Sequence, residues 1–124
     1  MDDLSDVERL RMAELHLDLG DPRSAASVLE PLTDRESGSA SVHLLLGRAY
    51  FAQASLSRAE RQFALAVGVD PSDHWARYLL GRALERQSRL IEARAQYRLA
   101  TALHQRTDYI EALDRVQAQL DRRQ

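Results

Sequence analysis

The chain has no cysteine, which rules out disulfides and thiolate metal sites. It has no lysine either: all 17 basic residues are arginine, the side chain that pairs bidentately with carboxylates and stacks on aromatic rings. Only five glycines and three prolines interrupt 124 residues, and long stretches carry neither, which favours helix over a strand-rich fold. Aromatics are sparse, at 6%. No apolar run approaches the roughly 18 residues of a membrane span. Met1-Asp2-Asp3 is acidic, with no apolar signal core behind it. The expectation is one domain spanning 1–124, cytoplasmic and without a membrane contact.

Charge is nearly balanced at −2, which argues against bulk attraction to nucleic acid or membrane. Its distribution is uneven. Residues 1–34 carry nine carboxylates against three arginines, and residues 74–107 carry seven arginines against two carboxylates.

Hydrophobic spacing and breakers predict seven helices. Ser5 and Glu8 read as a capping box for the first. Its apolar residues Val7, Leu10, Met12, Leu15, Leu17 and Leu19 cover more than one stripe, which predicts neighbours on two sides. Gly20 ends it and Asp21-Pro22 starts the second, which Pro31 is expected to stop or kink near Glu30. The segment from Thr33 to Ser41 reads as loop. Helices are then expected at about 40–53 (Val42, Leu45, Leu46, Ala49 and Tyr50 inward), 56–69 (Ala59, Phe63, Ala66, Val67), 72–87, 90–105 (Ala93, Tyr97, Ala100) and 108–122. Asp70-Pro71 is read as a second cap-plus-proline start. The last helix carries Tyr109, Ile110, Leu113, Val116 and Leu120 on one side.

A period of 34 runs through this pattern. Gly47 returns as Gly81, Ala59 as Ala93, Phe63 as Tyr97 and Ala66 as Ala100. One period earlier stand Ala13, Ala25 and Leu29. Small residues at fixed places let two helices approach, and the larger ones fill the flanking volume. One such hairpin cannot bury its apolar face alone, so the hairpins must stack. Residues 40–73, with Leu46-Gly47-x2-Tyr50, Ala59-x3-Phe63 and Pro71, resemble a tetratricopeptide repeat. The third unit departs at Leu84 and Gln105. The first departs at Ala13, His16, Leu29 and Leu32. The resemblance implies an all-α, right-handed solenoid of antiparallel helix–turn–helix repeats at about 6–39, 40–73 and 74–107, with a capping helix at about 108–122.

In that family the first helices of successive units line a concave groove that binds a peptide or a partner's segment. Carried over by position, the groove residues are Leu10, Glu14, Leu17 and Asp18; Leu44, Arg48, Phe51 and Ala52; and Trp75, Tyr78, Arg82, Glu85 and Arg86. The residues agree in part: Leu44 and Phe51 lie off the core stripe of their helix, and Trp75 and Arg82 are types enriched at binding hot spots. Trp75 and Phe51 have an alternative, packing on a neighbouring unit or the last helix. Arg48 and Arg82, one period apart, either hold a carboxylate or phosphate together or pair with Glu14 and Glu85. Some co-chaperone members clamp a C-terminal carboxylate with Lys and Asn; the matching positions here, Leu10, Glu14, Leu45, Trp75 and Leu79, supply no such clamp.

Catalysis finds no pattern to stand on. His16, His43, His74 and His104 fall at unrelated repeat positions with no His-x3-His pair. There is no G-x-S-x-G elbow and no phosphate-binding glycine loop. No catalytic residue, metal or cofactor is expected. The function expected is non-catalytic protein–protein binding. The alternatives are a nucleic-acid or regulatory binder using Arg82, Arg86, Arg89, Arg94 and Arg98, or a self-assembly module. In the last, the acidic first unit would meet the basic third unit of another copy.

Overall fold

The computed structural model describes residues 4–33 and 39–124. Seven helices follow one another among them: α1 (Asp6–Asp18), α2 (Pro22–Thr33), α3 (Ala40–Ala52), α4 (Leu56–Val69), α5 (His74–Arg86), α6 (Leu90–Leu103) and α7 (Thr107–Arg122). They form three antiparallel hairpins, α1–α2, α3–α4 and α5–α6, closed by α7. Each second helix also packs on the next first helix, which generates the right-handed solenoid. Among the described residues there is no strand, and no helix is long and apolar enough to cross a membrane.

The 34-residue period has a steric cause. A Cβ built on Gly47 would lie 2.5 Å from Cε1 of Phe63, and one on Gly81 2.5 Å from Cε1 of Tyr97. The glycines therefore clear space for the aromatic ring of the facing helix, a more specific task than general backbone approach. In the first hairpin the same pair is Ala13 and Leu29, both fully buried. A methyl group fits there because Leu29 is not a ring. Ala25, Ala59 and Ala93 occupy the matching small position and are likewise fully buried.

The turns within the hairpins repeat as well. Gly20, Ala54 and Ser88, spaced by 34, all adopt positive φ, at 78°, 57° and 61°. Behind them the chain closes each time with the same bond, Asp21 N–H to His16 C=O, Ser55 N–H to Tyr50 C=O and Arg89 N–H to Leu84 C=O. This is the Schellman helix end, which needs a left-handed residue after the C-cap. Only the first turn supplies glycine.

Starts and stops agree with the sequence reading in some places and correct it in others. The capping box forms, with Glu8 N–H on Ser5 Oγ and Ser5 N–H on Glu8 Oε1. Asp21 caps α2 through Ser24 N–H, and its hydrogen bonds from Ser24 hold its carboxyl below the usual range. Asp70-Pro71 is not a helix start. Asp70 instead accepts from Ser72 N–H and Ser72 Oγ–H, making a turn, and Asp73 caps α5 by accepting from Ala76 N–H. Pro31 does not end α2, which continues to Thr33. The carbonyl that loses its donor belongs to Ser27, an exposed residue that water can satisfy. Leu29 and Leu32 anchor the last turn from both sides of the proline. Arg9, buried in α1, donates from Nη1 to Val28 C=O at 3.0 Å, which ties α1 to the same stretch. The centre of the expected loop, Ser37 and Gly38, lies outside the described residues.

Two stripes are also corrected. Val7, Met12, Leu15 and Leu19 are exposed on α1 rather than covered on two sides. In α7 the inward residues are Tyr109, Ala112 and Val116, with Ile110 exposed.

Candidate functional site

Stacking the hairpins brings one face of α1, α3 and α5 together. A cavity of about 350 Å³ opens there, lined by Leu17 of α1, by Arg48, Phe51 and Ala52 of α3, and by Trp75, Leu79 and Arg82 of α5, with Phe63 of α4 behind. A second hollow of about 370 Å³ continues it along α5 to α7, bounded by Tyr78, Arg82, Glu85, Arg86 and Arg115. A larger hollow, about 480 Å³, lies beside His43, Tyr50, Arg58 and Gln62. It belongs to one hairpin and its approaches, whereas the groove draws on all three, so the groove is the surface the repeat builds.

Phe51 organises its charge. The guanidinium carbons of Arg82 and Arg86 lie 5.3 and 5.2 Å from the centre of its ring, within cation–π range. Stacking holds both cations in place without neutralising them. Among the described residues, Arg48, Arg82 and Arg86 have no carboxylate partner within ion-pair distance. The pairing of Arg48 and Arg82 with Glu14 and Glu85 that the sequence left open does not form.

Glu85 is occupied otherwise. It accepts two hydrogen bonds from Arg115 at 2.7 Å each and one from the Tyr97 hydroxyl at 2.7 Å. Burial works against its ionisation, but Arg115 and Tyr97 outweigh that and hold its carboxyl below the usual range. Burial, with the hydrogen bond to Glu85 added, pushes the Tyr97 hydroxyl far above the ordinary tyrosine value. The groove's floor at this end is therefore a fixed, neutralised triad linking α5, α6 and α7.

The expected site residues divide accordingly. Leu17, Arg48, Phe51, Ala52, Trp75 and Arg82 meet at the first cavity. Arg82, Glu85 and Arg86 bound the second. Leu10, Glu14 and Leu44 line neither: Leu10 and Leu44 pack partly against the core, and Glu14 stands in water. Tyr78 edges the second hollow but lies mostly in the core. It is only 8% exposed, stacked between Trp75 and Tyr109 with ring centres 5.4 and 4.8 Å away. Trp75 stays half-exposed at the cavity, with the Arg106 guanidinium 5.3 Å from its ring. Leu79, considered in the sequence only as a clamp position, lines the first cavity, and Arg115 was missed. Arg115 sits on α7, outside the repeat register from which the groove was read.

The basic stripe of the third unit is dispersed. Arg89 pairs with Glu60 at 2.6 Å and Glu92 at 2.7 Å, and Arg94 donates to Gln117. Among the described residues no group of three or more acidic or histidine side chains stands ready for a metal ion.

The tetratricopeptide repeat family model matches residues 10–74 and again 46–107. The chain belongs to the tetratricopeptide repeat family. Solved structures share the fold at low identity. The first TPR domain of Spaghetti (RPAP3), bound to the HSP90 peptide SRMEEVD, superposes with a TM-score of 0.90 at 19% identity, covering 98% of this chain and 97% of that one. The Yersinia enterocolitica type III secretion chaperone SycD, in complex with a peptide of the translocator YopD, gives 0.84 at 16% identity, covering 96% and 98%. The Arabidopsis OM64 TPR domain gives 0.82 at 19%, covering 87% and 90%. No curated protein matches the sequence. The TPR chain described here thus keeps the architecture of these domains while sharing fewer than one residue in five with them.

Proposed function

We propose that this TPR domain, spanning the chain, is a non-catalytic scaffold that binds a peptide or partner segment in the groove of α1, α3 and α5. The segment carries an apolar anchor and negative charge. The observation that carries this reading is the juxtaposition of three unneutralised guanidiniums, Arg48, Arg82 and Arg86, with the apolar cavity of Leu17, Phe51, Phe63 and Leu79. Arginines held by an aromatic ring keep their donors for an incoming carboxylate, and fixing them in advance lowers the cost of binding. The RPAP3 and SycD domains, each solved with a peptide, support binding of a segment as the general mode. The carboxylate clamp of co-chaperones is not the basis here, since Leu10, Glu14, Leu45, Trp75 and Leu79 occupy its positions. The cytoplasm is the setting we assign to it.

A displayed random-peptide library selected on the purified chain tests this. Enriched peptides should combine Asp or Glu with a large apolar residue. Replacing Arg48 and Arg82 together by Ala should weaken them roughly tenfold or more, in line with the loss of charge-assisted hydrogen bonds. Undiminished capture by the double variant would refute the charged part of the reading. Enriched sequences without acid would do the same.

A further inference from the structure

The two ends of the solenoid are finished differently. α7 turns Tyr109, Ala112 and Val116 inward and presents Glu111, Asp114, Arg115 and Asp121 to water. α1 buries only Arg9 and Ala13, and leaves Val7 57%, Leu15 56% and Leu19 72% exposed, with Met12 beside them. At 100° per residue, these four side chains fall within an arc of about 140° on the side away from α2. Monomers rarely leave a contiguous apolar face of this kind in water.

Charge on the same face selects what covers it. Exposed Glu8, Arg11 and Asp18 project within the arc; Glu8 is engaged at the helix start by the capping box with Ser5, which leaves Arg11 and Asp18 to be matched. Seven residues apart, they are separated by about 10.5 Å of helix and cannot reach one another. Neither has an ion-pair partner among the described residues. A head-to-tail stack of α1 on another copy's α7 would press this apolar face against carboxylates, at a desolvation cost. A like face, turned round, matches both Arg11 and Asp18.

We infer that α1 pairs with α1 of a second copy, antiparallel across a two-fold axis near Leu15, with Arg11 of each copy facing Asp18 of the other. One rotation forms both ion pairs at once and sets Leu15 against Leu15, as an isologous contact requires. Met12 and Leu19 flank that centre. The groove lies on another face of α1, at Leu17, so the dimer presents two free grooves.

Sedimentation equilibrium of the full chain tests this over a roughly hundredfold concentration range. The wild type should approach twice the chain mass. Leu15→Glu should hold the chain mass throughout, with helical circular dichroism unchanged. Arg11→Asp, on an exposed site that folding does not use, should raise the dissociation constant about tenfold or more, and Arg11→Asp with Asp18→Arg should return it to within about threefold. A wild type that stays monomeric overturns the inference, as does a dimer indifferent to Leu15→Glu. A double variant as weak as the single one overturns the antiparallel pairing. Peptide capture by the groove is measured separately, so neither result stands in for the other.

Discussion

The first hairpin and the two that follow solve the same packing problem with different residues. In the second and third, a glycine faces an aromatic ring: Gly47 with Phe63, Gly81 with Tyr97. In the first, Ala13 and Leu29, both fully buried, stand at the matching positions of the period. The turns are inverted in quality: the first has Gly20 at the left-handed position, and the others place Ala54 and Ser88 there. The repeat therefore conserves a volume and a backbone path rather than residue types. Each hairpin carries one ideal element and one compromise.

The sharpest way to break this comparison is to move a residue between hairpins. Gly47→Ala puts a methyl carbon 2.5 Å from the Phe63 ring, and Gly81→Ala does the same to Tyr97. Overpacking of a tight core costs about 1–3 kcal/mol, and alanine recovers up to about 1 kcal/mol of helix propensity. Each variant should lose about 2 kcal/mol by urea melt. Ala13→Gly, by contrast, should lose only about 1 kcal/mol. Writing the first hairpin's pair into the second, Gly47→Ala with Phe63→Leu, should cost at least about 1 kcal/mol less than the two single losses combined. Strict additivity would show that the ring is not what the glycine accommodates.

That substitution logic also separates what the sequence revealed from what it concealed. The fold was legible because Gly47, Ala59 and Phe63 recur at one interval, and a steric requirement repeated at constant spacing is hard to imitate. The groove was legible where its residues sit in register, as at Arg48, Phe51 and Arg82. It was not legible where a partner comes from outside the register. Tyr78 has the position of a groove residue and edges the second hollow, but Tyr109 of α7 covers most of its ring. Glu85 looked like a partner for Arg82 until Arg115 reached it. Pro31 and Asp70-Pro71 misled for a different reason: a proline's effect depends on whether water or a side chain takes the orphaned backbone group, which local sequence does not state.

The third hairpin differs from the second in one further respect. The Tyr97 hydroxyl finds a carboxylate because Glu85 stands where the second hairpin has Phe51 and the first Leu17. Tyr97→Phe should cost about 1.5–3 kcal/mol, a hydrogen bond to a charged group, while leaving the ring on Gly81. Glu85 ionises more readily when folded than unfolded, so its contribution is present above the ordinary carboxylate range and is lost as pH falls through its lowered value. The stability gap between wild type and Glu85→Gln should therefore narrow on acidification. A gap that widens in acid would contradict the triad.

The smallest expected effects are at the turns, and they run in opposite directions. A left-handed conformation costs an ordinary residue about 1–2 kcal/mol relative to glycine. Glycine in turn gives up about 0.4–1 kcal/mol through its freer unfolded state. Gly20→Ala should therefore destabilise by about 0.5–1 kcal/mol. Ala54→Gly and Ser88→Gly should each stabilise by about 0.5 kcal/mol, despite adding glycine to a helical protein. No side chain is disturbed in the reasoning, since Gly20 has nothing within 4 Å of a built Cβ. The thermal midpoint of Ala54→Gly with Ser88→Gly should rise by a few degrees, each kcal/mol being worth about 3–6 °C for a chain of this length. A fall would mean that the Schellman closures behind Ala54 and Ser88 draw their stability from the flanking helices alone and leave no strain at the turn to release.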